Sequence, residues 1–225
     1  MSTEGRTGIL GGRFDPVHLG HLGIAEVAWR VLALDRVLLL PSRVSPHRAA
    51  PACTTDAERL AMVTLAANSD AHLSPCDMEL QSDTPSFTSV TLGRLRDQEH
   101  RRTQWFFIVG ADAFAGISTW HDYPAVLDAA HFVVVSRPGH PVADLVKTIP
   151  DLRKRMRPVT RGFEKLSVDA NMASAVFLID AVTLDVSSTD IRAQVALGAP
   201  LAGLVPAKVA AYIKHHRLYE TSKPW

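Results

Sequence analysis

Two histidines stand in the stretch of this sequence that is best suited to chemistry. They are His18 and His21, in the segment GGRFDPVHLGH at residues 11–21. An apolar run at residues 7–10 predicts a strand before this segment, and residues 22–34 predict a helix after it. A glycine-containing turn between a strand and a helix offers an anion free backbone N–H groups and the positive end of the helix dipole. The pattern therefore predicts a phosphate site.

The spacing of the two histidines supports this prediction. Because they are three residues apart, we expect them to share a face of the first helical turn, where both imidazoles can donate hydrogen bonds to phosphate oxygens. We expect Gly11 and Gly12 to let the backbone turn sharply and approach a ligand. One histidine alone at a helix start is more often a cap or a surface residue, so the inference depends on the combination.

A second polar cluster precedes a predicted helix near the end of the sequence. It is the segment VSSTDIR at residues 186–192, after an apolar run at residues 175–182. Hydroxyl side chains such as those of Ser188 and Thr189 cap the free N–H groups of a helix start, and the same N–H groups bind phosphate. Arg192 falls within about one turn of that N-terminus, from which a guanidinium can contact two phosphate oxygens.

Three further candidates follow predicted strands. Arg48 lies in a Pro-His-Arg loop after the strand at residues 36–41, at the edge where open α/β sheets bind ligands, although composition alone favours a solvated surface loop. Asp112 follows the strand at residues 104–110 and is equally a ribose ligand or a helix N-cap. Trp120 is a candidate for stacking on a flat ring, although such a tryptophan more often belongs to the core.

Apolar runs alternate with helical patterns along the sequence. This alternation indicates an α/β fold with a Rossmann-like, doubly wound, mostly parallel sheet and right-handed crossovers. We expect a single domain, residues 1–225, with a small C-terminal helical subregion at about residues 187–225. The helix at residues 54–68 opens with a capping box, TDAE. Further strands are predicted at residues 71–80 and 132–136, and further helices at 86–100, 124–130, 187–198 and 206–217. The stretch at residues 141–169 is charged, and we expect its basic run at 153–155 to form a solvated helix face.

The composition is ordinary for a soluble globular protein. The chain has 225 residues, of which 47% are hydrophobic and 21% are charged, and a formal net charge of +1. We therefore expect no nucleic-acid partner and no membrane association, since no apolar run reaches membrane length and the N-terminus lacks a secretory pattern. Cys53 and Cys76 have neither metal nor redox spacing, which favours free thiols in a reducing cytoplasm.

The two polar clusters together carry a family resemblance. GGRFDPVHLGH resembles the GGxFDPxHxGH signature of the HxGH nucleotidyltransferases, and SSTDIR resembles the ISSTxIR motif of nucleotide adenylyltransferases. Weaker segments between them are similar to the bacterial nicotinate-nucleotide adenylyltransferases: the Pro-His-Arg loop, TPSFT at 84–88, GAD at 110–112, Trp120 and SRPG at 136–139. The resemblance extends from about residue 8 to about residue 219. It implies adenylyl transfer from ATP to nicotinate mononucleotide, giving deamido-NAD and pyrophosphate in NAD biosynthesis.

The resemblance also implies a role for each candidate. The attacking phosphate is already ionised, so catalysis is positioning and charge stabilisation, by in-line attack without a covalent enzyme intermediate. A Mg²⁺ ion would accompany ATP, with no metal-ligating residue assigned. His18, His21 and Arg192 would be catalytic; Gly11, Gly12, Phe14, Arg48, Ser188 and Thr189 would bind ATP and its phosphates; and Thr88, Asp112, Trp120 and His121 would bind the mononucleotide.

Three departures from the family pattern leave substrate preference and rate open. Arg13 stands where Thr or Ser is usual, Phe87 replaces a Tyr, and His121 replaces the aromatic residue beside the stacking tryptophan. An adenylyltransferase that prefers nicotinamide mononucleotide is therefore an alternative, and so is a nucleotide-binding regulator without turnover. The expected partners are ATP and nicotinate mononucleotide, and a homo-oligomer is left open.

Overall fold

A seven-stranded sheet with helices on both faces is the frame of the computed structural model, which describes residues 5–44, 51–98, 103–159, 166, 168–169 and 171–220. The strands are β1 (Gly5–Gly12), β2 (Arg36–Pro41), β3 (Leu73–Pro75), β4 (Thr103–Gly110), β5 (His131–Val135), β6 (Met156–Val159) and β7 (Val176–Ile179). The α-helices are α1 (Leu19–Leu32), α2 (Asp56–Ala67), α3 (Thr88–Gln98), α4 (Ala111–Phe114), α5 (Leu145–Thr148), α6 (Ser188–Ala196) and α7 (Ala207–His215).

The strand order creates a switch point between β1 and β4. Across the sheet the order is β3-β2-β1-β4-β5-β7-β6, and each of these neighbouring pairs is parallel. The chain builds outward from β1 through β2 and β3, and then continues on the other side of β1 with β4. Where the order reverses in this way, a crevice opens at the carboxyl ends of the two strands, and ligands bind there. The predicted doubly wound sheet is confirmed.

The central strands are buried on both faces. Alternate residues point to opposite sides of the sheet, so Leu10 and Ile108 pack with α1, α2, α6 and α7, whereas Ile9 and Phe107 pack with α3, α4 and the short 3-10 helices. A strand covered on both faces needs apolar side chains at every position, which explains the continuous apolar runs of β2 and β4. In the described part of the chain, every helix is too short or too polar to cross a bilayer.

Two strands differ from their predictions. The strand predicted at residues 71–80 is only Leu73–Pro75, because residues 77–81 form turns. Met156–Val159 was not predicted at all. It lies at the sheet edge beside β7, where only one side of the backbone must pair, so Pro158 is tolerated and the apolar pattern is weak. The strand predicted at residues 175–182 is therefore the seventh in the chain and not the sixth.

The helix predictions hold with two changes. Thr55 caps α2 and forms the predicted capping box with Glu58. The helix predicted at residues 124–130 is a 3-10 helix, Ala125–Asp128. The basic run at residues 153–155 lies in a turn between a 3-10 helix and β6, so the prediction of a helix face is wrong, although Arg153 and Lys154 are exposed as expected.

Candidate active site

A pocket of about 570 Å³ opens at the carboxyl ends of β1 and β4, in the crevice that the strand order predicts. This volume is in the range of small-molecule sites. One end is lined by the two histidines and the start of α6, and the other by an aromatic group after β4 and before α3. The site residues predicted from the sequence that line this pocket are Gly11, Gly12, Phe14, His18, His21, Thr88, Asp112, Trp120, His121, Ser188, Thr189 and Arg192. Arg48 lies outside the described residues.

The two histidines cap α1 reciprocally. The backbone N–H of His21 donates to Nδ1 of His18 at 3.3 Å, and the backbone N–H of His18 donates to Nδ1 of His21 at 3.3 Å. Their rings stack with centroids 3.6 Å apart. His18 is the N-cap, with extended backbone angles of −144° and 169°, so the expectation that both residues lie on the first helical turn is corrected.

This capping box fixes which ring nitrogens can act on a ligand. Each Nδ1 uses its lone pair to accept a backbone N–H, so in the neutral imidazole the ring proton must be on Nε2. The geometry assigns the same tautomer to both rings. The donor of each neutral ring is therefore its Nε2–H, and both histidines line the pocket.

His18 is a neutral imidazole near pH 7. Its side chain is almost fully buried, with 2% of the residue exposed. Burial, together with the positive charge of Arg137, lowers its pKa to about 4. A neutral His18 donates through Nε2 without adding a charge, so the cationic groups at this end of the pocket are arginines.

The lowered pKa of His18 predicts acid sensitivity of the fold. Between pH 6.5 and about 4 the unfolded chain binds a proton at this position and the native protein does not, so stability is complete above pH 6.5 and falls as the pH drops. We expect this proton uptake to lower the free energy of unfolding by about 2 kcal/mol between pH 7 and pH 5. His18→Asn keeps a side chain that can cap α1 and removes the titration. Urea unfolding at both pH values should show a smaller loss in this variant than in the wild type. Equal losses of stability in the two proteins would contradict the assignment of a neutral His18. The buried His131 is present in both proteins, so its titration cancels in the comparison.

The turn before α1 is made by Phe14 and not by the glycines. Gly11 and Gly12 are the last residues of β1 in extended conformation, whereas Phe14 has a positive φ of 50°. The predicted sharp glycine turn is therefore wrong. The glycines matter for space instead: a Cβ on Gly12 would lie 3.2 Å from the Phe14 ring, which is tighter than an ordinary contact. Phe14 is buried and meets His21 edge-on at 4.9 Å.

The start of α6 is attached to the loop that carries the histidines. Ser187 is the N-cap of α6, and its hydroxyl accepts the backbone N–H of Asp190. The Ser188 hydroxyl donates to the Pro16 carbonyl at 2.9 Å. Arg192 donates through Nη1 to the Asp15 carbonyl at 2.8 Å and through Nη2 to the Thr189 hydroxyl at 3.3 Å. The two sequence clusters, about 170 residues apart, therefore form one site.

Arg137 joins the same end of the pocket and was not assigned from the sequence. It follows β5, donates to the Val186 carbonyl at 3.3 Å, and approaches Asp112 with 3.8 Å between Nη1 and Oδ2. The SRPG segment contains it, but nothing local distinguished this arginine from a surface residue. Asp112 is in the first turn of α4, whose N-cap is Gly110, so the N-cap alternative for Asp112 is excluded.

Aromatic rings form the opposite end of the pocket. Trp120 is partly buried and meets Phe107 edge-on at 5.9 Å, so it belongs to the core margin and to the pocket wall. His121 stacks on Phe87 at 4.2 Å, and its Nδ1 lies 3.0 Å from the Asp122 carboxylate. Thr88, the first residue of α3, also lines the pocket and directly follows Phe87 in the chain.

A buried carboxylic acid supports the start of α3. The Thr91 hydroxyl donates to Glu79 at 2.6 Å, and both side chains are buried. Burial raises the pKa of Glu79. The link joins α3 to the turns after β3 and so holds Thr88 against the pocket.

A buried arginine, also missed from the sequence, ties two strand ends together. Arg59 is 0% exposed and donates to the carbonyls of Arg13 at 2.7 Å and Ser42 at 2.6 Å, which follow β1 and β2. Its Nη2 pairs with Asp56 at 2.6 Å. The signal available in the sequence was weak: an arginine at an inward position of an amphipathic helix.

Comparison with known proteins decides the family. The family model for cytidylyltransferase-like proteins matches residues 9–194. A protein of Roseiflexus castenholzii named "Probable nicotinate-nucleotide adenylyltransferase" is 37% identical over 219 residues, which is 96% of this chain and 99% of the relative. The chain belongs to the nicotinate-nucleotide adenylyltransferase family. A relative of the same name from Geobacter sulfurreducens is 36% identical over 218 residues, covering 95% of this chain and 98% of its own.

Solved structures agree with the fold of this adenylyltransferase family member. Plasmodium falciparum nicotinic acid mononucleotide adenylyltransferase complexed with NaAD has a TM-score of 0.70 at 16% identity, covering 96% of this chain and 98% of its own. The same enzyme complexed with APC has a TM-score of 0.69. At this identity the likeness shows the α/β fold.

Proposed function

We propose that this protein transfers the adenylyl group of ATP to the phosphate of nicotinate mononucleotide, forming deamido-NAD and releasing pyrophosphate. One observation carries the proposal: a single pocket joins a phosphate end, with two imidazole donors and arginines, to an aromatic end suited to a pyridine ring. The curated relatives of the same length carry the name of this activity. We further propose that residues 1–225 form one nucleotidyltransferase domain, with α6 and α7 as its C-terminal helical part.

The phosphate end suits in-line transfer without a covalent intermediate. An ionised phosphate oxygen of the mononucleotide attacks the α-phosphorus of ATP, the new P–O bond forms, and the bond to the β-phosphate oxygen breaks as pyrophosphate leaves. No base is required, because the nucleophile carries no proton to remove. His18 and His21 would donate through Nε2 to the phosphates as charge builds, and Arg192 would hold the leaving pyrophosphate from the α6 side.

Further groups complete the ATP site. We propose that the backbone at Gly11, Gly12 and Phe14 approaches the nucleotide, and that N–H groups at the start of α6, near Ser188 and Thr189, donate to phosphate oxygens. Arg137 is a second cation beside this end. We expect Arg48 to bind phosphate as well.

The aromatic end suits the mononucleotide. We propose that Trp120 stacks on the pyridine ring and that backbone N–H groups near Thr88 and His121 bind its carboxylate. Asp112 would accept the ribose hydroxyls while Arg137 holds its carboxylate. This carboxylate recognition uses no fixed cation, which is why the amide substrate has to be tested beside the acid.

We propose that Mg²⁺ enters with ATP as part of the substrate. Within the described ranges, no three His, Cys, Asp or Glu side chains are grouped to hold a metal ion. Mg²⁺ commonly stays on substrate phosphates with several waters, so the donor set fits an ion carried by ATP. When bound, the ion neutralises phosphate charge. The free thiols of Cys53 and Cys76 favour a reducing cytoplasm as the site of action.

Pyrophosphate release tests the proposal directly. Purified protein with ATP and Mg²⁺ is given nicotinate mononucleotide or nicotinamide mononucleotide in parallel. We expect the kcat/KM ratio to favour the acid. A preference for the amide would keep the phosphate chemistry and overturn the account of ring recognition. Saturable ATP binding without release from either substrate would indicate a nucleotide-binding regulator.

Trp120→Ala should weaken binding of the mononucleotide selectively. Aromatic stacking on a base is worth about 1–3 kcal/mol, so we expect the KM for the mononucleotide to rise about 5- to 160-fold. The KM for ATP should change little, because Trp120 is at the other end of the pocket. Trp120→Phe is the matched control, since it keeps a ring face. An equal rise for both substrates in the alanine variant would point to general damage to the pocket wall.

A further inference from the structure

A buried carboxylate, that of Asp15, belongs to a residue in the lining at the phosphate end of the pocket. Asp15 accepts three hydrogen bonds: from the backbone N–H of Cys53 at 2.6 Å, from the Thr54 hydroxyl at 2.8 Å and from the Tyr219 hydroxyl at 2.8 Å. Asp15 is 0% exposed. Neutral donors from the segment before α2 and from the segment after α7 therefore fix this carboxylate from two directions.

Tyr219 combines a buried ring with a hydrogen bond that packing alone would not require. It is fully buried, and it holds a positive φ of 65°, which is unfavourable for a residue with a side chain. Burial and the Asp15 carboxylate raise the pKa of its hydroxyl, so the hydroxyl stays a donor at working pH. A phenylalanine would fill the same apolar space. The buried hydroxyl is tolerated because it donates a hydrogen bond to the Asp15 carboxylate.

The backbone of Asp15 connects this carboxylate to the start of α6. Its carbonyl accepts the hydrogen bond from Nη1 of Arg192, and the adjacent Pro16 carbonyl accepts the bond from Ser188. The segment at residues 15–16 therefore sets where the start of α6 lies relative to His18, two residues further along. Any shift of Asp15 moves the guanidinium of Arg192 and the capping histidines relative to each other.

We propose that Tyr219 is a positioning residue for adenylyl transfer, and that its hydroxyl acts through Asp15 to hold Arg192 in place against the leaving pyrophosphate. The proposal rests on the proposed function. It concerns a residue that touches no substrate: among the described residues that line the pocket, Tyr219 is absent, whereas Asp15 and Arg192 are both present. Misplacement of a positioned group by 1 Å can cost about 10²-fold in rate, so a partial loss of support should be measurable.

Tyr219→Phe tests the proposal, because it removes one oxygen and keeps the ring. We expect kcat to fall about tenfold, a fraction of the loss that a full misplacement causes, with the KM for the mononucleotide unchanged. The decisive readout is a double-mutant cycle with Arg192→Ala. If Tyr219 acts through Arg192, then Tyr219→Phe should change kcat by less than about twofold in the Arg192→Ala background.

Tyr212→Phe is the matched control, since Tyr212 lies in α7 and contacts His216 instead of Asp15. It should behave as the wild type. Thr54→Val removes another donor to the same Asp15 oxygen, so it should reproduce the kcat loss even if Tyr219→Phe folds poorly. Wild-type kcat in both variants, or an equal fold loss with and without Arg192, would overturn the proposal. Failure of the proposed function itself would be visible earlier, as absent pyrophosphate release from the wild type.

Discussion

His21→Ala is expected to lower kcat for pyrophosphate release by about 10²–10³-fold, the usual cost of removing one preorganised donor. The reason is the tautomer that the capping box fixes. With Nδ1 of His21 accepting the His18 N–H at 3.3 Å, the proton of the neutral ring is on Nε2, through which His21 would donate to a phosphate oxygen under the proposed function. Alanine removes this donor and also leaves the His18 N–H without its side-chain acceptor.

The capping role can be separated from the phosphate role by His21→Gln. Glutamine at the third helical position reaches back to the N-cap N–H, so it should retain the stability of the start of α1. Because the amide oxygen is used for the cap and the side chain differs in shape from imidazole, we expect kcat to stay low. Steady-state kinetics and urea unfolding of both variants are the measurements. Turnover close to wild type in His21→Ala, or full recovery in His21→Gln, would move His21 from phosphate binding to helix capping.

The parts of the fold that follow from local pattern were predictable from the sequence. β2 is found at the predicted bounds, and α1 and α2 deviate by a few residues, because apolar periodicity and the Thr55 capping box are properties of short segments. The β6 edge strand was missed because an edge strand of four residues with a proline has little pattern to read. The order of the seven strands depends on pairings between distant segments, which only their alternation with helices suggested.

The site was predictable where its residues are close in sequence or fall in a motif. His18 and His21 are three residues apart, at the N-cap and in the first turn of α1, and Arg192 follows a row of hydroxyls at a helix start. Arg59 and Tyr219 were missed, because their roles depend on partners 17–46 and 204 residues away. A single sequence does not indicate that a buried arginine or phenol has found a carbonyl or a carboxylate across the fold.

The two glycines at the end of β1 differ from the prediction in what their backbone does. Gly11 and Gly12 line the pocket, but their backbone is extended and the left-handed turn falls on Phe14. Sequence reasoning treats glycine as a source of backbone freedom. In this fold the missing Cβ of Gly12 leaves room for the Phe14 ring, and Phe14 in turn supports His21.

Asp15→Ala is expected to lower the free energy of unfolding by about 2–4 kcal/mol, because it removes the acceptor of three hydrogen bonds. The Tyr219 hydroxyl is a buried donor, and an unpaired buried donor costs about 1–3 kcal/mol. Cys53 is exposed and Thr54 is half-buried, so water can replace part of what their donors lose. The donors come from the segment before α2 and the segment after α7, so the loss loosens the attachment of both segments. Urea unfolding at pH 7 measures the change.

Asp35→Ala is the matched control for this experiment. Asp35 also accepts a backbone N–H, from Arg6 at 2.7 Å, but it is exposed, so water replaces the carboxylate and we expect a loss of less than about 1 kcal/mol. A loss of similar size in the two variants would mean that the Asp15 donors find other partners. In that case the carboxylate would not fix the segment at residues 15–16, and the link from Tyr219 to Arg192 would fail with it. A large loss confined to Asp15→Ala would identify this buried acceptor as the point where the C-terminal segment, α2 and the phosphate end of the pocket are held together.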